Sequence, residues 1–214
     1  MPRPPGRRNR DFEQKRYALI ETLTEFVLTE GVELPSFRQL AIAAGTSEPT
    51  LRHYFSDRSG VIVAIIIQLS LMGEPVWMGQ CKTATSIDET IDQFLDHMMY
   101  LQKSARYTRA YAFCMRESMS DEQARKAFLD HVVEPHLDLI AERLMKTRGG
   151  PASYEVARAA ATMLSSSSMF TVMHQNILGG ESHKPIDIDS YFQLLRGWML
   201  DSIRDNPKGL FEKA

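Results

Sequence analysis

Cysteine is scarce. Cys81 and Cys114 are the only two in 214 residues. They show no pairing pattern, which excludes a disulfide framework and makes a reducing, cytoplasmic compartment the expectation. Long apolar runs are missing too. The run from Val61 to Ile67 is far below the roughly 18 residues a membrane-spanning helix needs, so no membrane partner is expected. The opening MPRPPGRRNR has charge with no apolar core behind it, which does not read as a secretory signal. Period-two alternation is nowhere sustained, and this argues against β-structure. The glycine patterns of a Walker A loop, a dinucleotide-binding turn and a nucleophile elbow are absent. Cys114 has no CxxC companion, and the serine run at 165–168 has no nucleophile context. His131, Glu134 and His136 resemble a metal cluster, but positions 131 and 136 differ by five and do not share a helix face. An enzyme, a metal and a cofactor are therefore not expected.

What is present is ordinary in amount and uneven in placement. The chain is 43% hydrophobic and 24% charged, with a formal net charge of −2. Arg3, Arg7, Arg8, Arg10, Lys15 and Arg16 face only Asp11 and Glu13 among the first sixteen residues, so the rest of the chain is net acidic. A basic end on an acidic protein points to an anionic partner there. Residues 1–11 read as a disordered basic arm, rich in Pro, Gly and Arg.

Beyond the arm the periodicity is helical throughout, so the chain is all-α. Helices are predicted over about 12–30, stopped by Gly31, then 36–44, 47–55, and from Asp57 to a break at MGEP near 72–75. Further helices follow over about 87–103, 105–118, 121–147 with a kink at Pro135, 154–178 and 188–205. This divides the chain into the arm, a small head at 12–56 and a large helical part at 57–214.

The stretch SFRQLAIAAGTSEPTLRHYF, Ser36 to Phe55, carries the strongest local signal. Ser36 caps a short helix, Gly45 ends it, and Ser47 caps the next. Residue 49 is proline, so the amide that Ser47 accepts should be that of Thr50. Ala41 is the small contact residue, Gly45 supplies a positive φ, and Leu40, Leu51 and Tyr54 anchor the pair. These are the requirements of a helix-turn-helix, whose second helix enters a major groove of DNA. The candidate DNA-contacting residues are Ser36, Arg38, Thr46, Ser47, Glu48, Pro49, Thr50, Arg52, His53, Tyr54 and Arg58. Hydroxyl, guanidinium and imidazole groups together on one outer face suit base edges and phosphates.

Over about residues 12–70 the chain resembles the TetR-type transcriptional regulators. The resemblance rests on SFRQLA, AAGTS, TLRHYF and SDRSGVI, in that order. Arg52 stands where the family usually has Tyr, and Arg58 where it usually has Lys. The resemblance implies an N-terminal three-helix helix-turn-helix head, followed by a larger helical ligand-binding and dimerisation domain that pairs through its last two helices. It also implies a palindromic double-stranded DNA operator, a small apolar effector and a homodimer, with repression released by the effector. The alternative is a DNA-binding regulator with no small-molecule effector, controlled by a protein partner.

Two sets of residues are candidates for these roles. Ala157, Ala161, Leu164, Ser168 and Val172 form a small-residue stripe at helical spacing. With Tyr191, Leu195 and Trp198 of the last helix they make the expected dimer face. Methionines and aromatics, including Trp77 and Met78, recur between residues 75 and 175 and suit an adaptable apolar cavity. The pocket candidates among them are Phe94, Met98, Tyr111, Met115 and Met169.

Overall fold

The computed structural model describes residues 5–30, 34–79 and 84–205. The expected stop at Gly31, Cys81 and the side chains of Trp77 and Met78 lie outside the described residues. Helix α1 spans Pro5–Glu30, α2 Phe37–Ala43, α3 Glu48–Phe55 and α4 Arg58–Gly79. Then come α5 at Ile87–Gln102, α6 at Ala105–Ser120 and α7 at Glu122–Phe128. A π-helical turn at Leu129–Val133 leads into α8 at Glu134–Lys146. Helix α9 at Tyr154–Val172 ends in a second π-helical turn, Met173–Ile177, before α10 at Gly180–His183 and α11 at Ile188–Asp205. The described residues hold no strand, only one isolated bridge between Ser86 and Arg148.

Three sequence expectations change. The part of the basic arm that is described is helical from Pro5; proline suits a first helical turn and arginine favours helix. Helix α4 runs through MGEP to Gly79. An interior proline removes one hydrogen bond of the ladder and bends a helix more readily than it stops one. Around Pro135 the predicted single helix is three pieces, with Pro135 in the first turn of α8 and the π-helical turn just before it.

The chain forms two compact units, Met1–Gly73 with Arg109–His131, and Glu74–Thr108 with Val132–Ala214. This is not the predicted boundary at residue 56. The first unit takes in most of α4 and recruits α7 and most of α6.

In the first unit, the local chemistry around α2 and α3 follows the sequence closely. Ser36 Oγ accepts the Gln39 amide at 3.3 Å, and the Gln39 side chain accepts the Ser36 amide at 2.8 Å, a reciprocal capping box. Gly45 has φ +62°. The amides of Gly45 and Thr46 return to the carbonyls of Ile42 and Ala41, both at 3.0 Å, closing α2 as a Schellman motif. Ser47 Oγ accepts the Thr50 amide at 3.3 Å and starts α3. Between α3 and α4 the chain turns by 63°. Ser56 at φ 68° makes that corner. A Cβ on Gly60 would lie 2.0 Å from the Phe55 carbonyl oxygen, so only glycine fits the close approach there. Leu23, Leu40, Leu51, Ile62, Ile65, Ile66 and Phe113 are fully buried in this unit.

In the second unit α5, α8, α9 and α11 share one core of Ile91, Phe94, Met98, Leu144, Leu164, Val172, Phe192 and Met199. Helices α8 and α9 make the most extensive pairing. Arg196 pairs with Asp92 and Arg204 with Asp88, joining α11 to α5, while Arg158 pairs with Glu134 and Asp138 and joins α9 to α8.

Candidate nucleic-acid interface

Helix α3 is covered on one side only. Leu51 and Phe55 are buried, whereas Ser47, Glu48, Pro49, Thr50, Arg52 and His53 are exposed. Thr46 and Tyr54 are half-buried, and Ser36 and Arg38 are exposed where α2 begins. All eleven candidates therefore lie in one unit, ten of them around the α2–α3 turn.

Neighbouring rings hold part of this face in place. Phe12 of α1 lies 4.8 Å from Tyr54 and 5.5 Å from His53, centroid to centroid. Arg16 sits 5.2 Å above the Phe55 ring. Tyr54 is thus less an inward anchor, as its spacing suggested, than part of an aromatic cluster at the end of α3. Arg52 rests its guanidinium 5.1 Å over the Phe37 ring and donates from Nη1 to the Ser56 carbonyl at 3.2 Å. Its planar head is held by a stack and one hydrogen bond, so the remaining donors stay available to an incoming acceptor.

Arg58, one of the candidate DNA contacts, is engaged within the chain. Its Nε donates to the Pro35 carbonyl at 2.7 Å and its Nη2 to Glu117 Oε1 at 2.7 Å. Glu117 is 1% exposed. A carboxylate buried to that degree demands a cation, and Arg58 supplies it. Nothing in the sequence signals this pairing, because Arg58 and Glu117 are 59 residues apart.

The expected dimer stripe is also corrected. Ala157, Ala161, Leu164, Ser168 and Val172 are all at 0% exposure. Their small side chains let α8 and α9 approach closely within the chain. Leu195 is likewise core, and Tyr191 is half-buried with its hydroxyl donating to the Ser167 carbonyl at 3.2 Å. Of that set only Trp198 is exposed, at 69%. The outward apolar side chains are instead Met163, Phe170, Leu194 and Trp198. Three of them, Met163, Leu194 and Trp198, line a groove of about 270 Å³ between α9 and α11.

The pocket candidates divide between the units. Phe94 and Met98 are buried core of the second unit. In the same unit Met169 accepts a hydrogen bond from the Tyr107 hydroxyl at 3.4 Å. Tyr111 and Met115 belong to the first unit, where the Tyr111 ring lies 6.1 Å from Phe128.

Sequence reasoning passed over three buried polar residues in the second unit, His97, Thr171 and Gln175, and Ser165 and Ser168 of the serine run are buried as well. His136, already noted in the sequence, is half-buried, with its ring 6.3 Å from Phe94. Burial, with Arg143 nearby, lowers His97 to about 4. Burial and the neighbouring His97 do the same to His136. Both rings are neutral at pH 7. The signal for His97 was its place beside Phe94 and Met98 on the inner face of a predicted helix. In the first unit, burial pushes the Cys114 thiol up to about 12, which leaves it protonated and unreactive.

No family model and no curated relative matches the sequence. Solved structures do match in shape. A transcriptional regulator from Pseudomonas aeruginosa PAO1 aligns with a TM-score of 0.63 at 14% identity, over 91% of this chain and 93% of that one. A TetR-family transcriptional regulator from Rhodococcus sp. aligns at 0.60 and 14% identity, over 89% and 99%. The fatty acid degradation regulator FadR from Bacillus halodurans aligns at 0.60 and 15% identity, over 95% and 99%. Shape agrees over nearly the whole length in each case while the side chains do not, so this chain has the fold of the TetR-family transcriptional regulators.

Proposed function

We propose that the protein is a homodimeric DNA-binding transcriptional regulator, a repressor that leaves a palindromic operator when a small apolar molecule binds its second unit. The carrying observation is α3. It is a short helix behind a Gly45 turn, with Thr50, Arg52 and His53 exposed on one face, in a chain with the fold of known regulators. A helix presented this way reads a major groove, and a two-fold dimer presents two of them to two half-sites. The outward apolar side chains of α9 and α11, Met163, Phe170, Leu194 and Trp198, are the surface for the second copy. An exposed Trp within an apolar patch is a common interface anchor.

Control follows from linkage. An effector that binds the second unit better when the two heads are wrongly spaced lowers operator affinity by the same factor. One structure of this fold is a fatty acid degradation regulator, and an apolar effector class is consistent with the Met and aromatic content here. A second reading has an observation of its own: Phe94 and Met98 are packed core. A regulator with a filled interior would answer to a protein partner instead of a small molecule.

The test of DNA binding is selection of duplexes from a random-sequence pool by the wild-type protein, followed by titration at several salt concentrations. Enrichment of a two-fold symmetric sequence with salt-dependent affinity is the expected result. Failure to enrich any duplex overturns the reading. Thermal shifts with a panel of fatty acids and other apolar compounds separate the two modes of control.

A further inference from the structure

Two carboxylates on the α6–α7 segment grip the start of α4. Glu117 Oε1 accepts from Arg58 Nη2 at 2.7 Å. Asp121 accepts from the Ser59 hydroxyl through one oxygen, while its other oxygen caps α7 by accepting the Ala124 amide at 2.9 Å. Arg125 Nε donates to the Ser118 carbonyl at 3.1 Å and fastens the corner between the two helices. Arg58 meanwhile reaches back to the Pro35 carbonyl at 2.7 Å. Pro35 immediately precedes Ser36, the cap of α2, and Arg58 itself follows the corner that ends α3. One guanidinium therefore ties the entry of the helix-turn-helix and its exit to a single buried carboxylate.

This arrangement is a poor way to gain stability alone. A buried ion pair is often matched or bettered by apolar side chains of the same volume. Moreover, Glu117 Oε2 is buried with no hydrogen-bond partner among the described residues, so the carboxylate is not fully satisfied. What the pair does supply is geometry, since a fork of donors fixes direction as well as distance. We infer that Glu117 is a positioning residue for DNA reading: through Arg58 it sets the attitude of α2 and α3, which makes residues 109–131 a working part of the head. The inference rests on the DNA-binding reading above.

The experiment uses full-length protein, a duplex selected from a random pool by the wild type, and a scrambled duplex of the same composition. Glu117→Gln removes the charge and nearly keeps the volume. The double variant Arg58→Met/Glu117→Leu replaces the pair by apolar side chains and leaves net charge unchanged. Both variants should bind the selected duplex about tenfold or more weakly, and Glu117→Gln, which keeps Arg58, should bind the scrambled duplex as wild type does. The double variant should melt at or above the wild-type temperature, which separates positioning from folding. A folded double variant with wild-type affinity for the selected duplex overturns the inference, and so do equal losses of Glu117→Gln on both duplexes. If the wild type itself selects no duplex, the DNA-binding reading fails first and takes this inference with it.

Discussion

Helices α3 and α9 both carry small and hydroxylated residues, yet the molecule uses them in opposite ways. Helix α3 packs against α2 and, on the same inner side, meets Phe12 and Arg16 of α1, while its Thr50 and its cap Ser47 meet solvent. Helix α9 is enclosed by α8, α5 and α11, and its Ser165 and Ser168 are buried. A helix covered on one side leaves its polar residues to solvent. A helix covered on three flanks turns even serine into packing material, because the interhelix distance is set by side-chain size. Small and hydroxylated residues thus mean internal contact in α9 and exposure in α3, and the neighbours that cover each helix decide which.

The contrast is tested most severely at Leu164. Leu164→Ala should destabilise the second unit by about 2–5 kcal/mol, seen as a large fall in the midpoint of chemical denaturation. If Leu164 lay on a dimer face instead, the variant would keep its fold and become monomeric.

Next comes Gly45, in the helix-turn-helix. A Cβ there meets nothing within 4 Å, so the constraint is the positive φ alone. Gly45→Val should cost about 1–3 kcal/mol through backbone strain and weaken DNA binding. Gly45→Asn should cost less, since Asn tolerates the left-handed region. Equal behaviour of the two in thermal melts would remove the turn assignment.

Arg52→Ala should leave stability within about 0.5 kcal/mol, as expected for an exposed side chain. Direct base readout predicts a loss of about 1–3 kcal/mol on a selected duplex and much less on a scrambled one. Equal losses on both duplexes would make Arg52 a phosphate contact.

Acid should separate the units without any substitution. His97 and His136 have folded pKa values lowered to about 4, from 6.5. Between those limits the unfolded chain binds more protons, so stability is complete above about 6.5 and falls as pH drops toward about 4. Denaturation profiles across that window should show the effect, and His136→Phe should flatten it. A profile unchanged by His136→Phe would mean the ring titrates normally.

The helix-turn-helix was legible because its signals are local. Caps, a turn glycine and a proline at the second position of α3 act within three or four residues of themselves, and the structure honours each one. The sequence by itself therefore determined the all-α class, the limits of α5, α6 and α11 to within about two residues, and the exposed face of α3. It did not determine which face of α9 looks inward, where the head ends, or what Arg58 holds. Those were decided by the α6–α7 segment joining the first unit and by α8 covering the small-residue face of α9. Burial is a property of neighbours that arrive from 20 to over 100 positions away, and helical periodicity gives the spacing of a face without naming what will cover it.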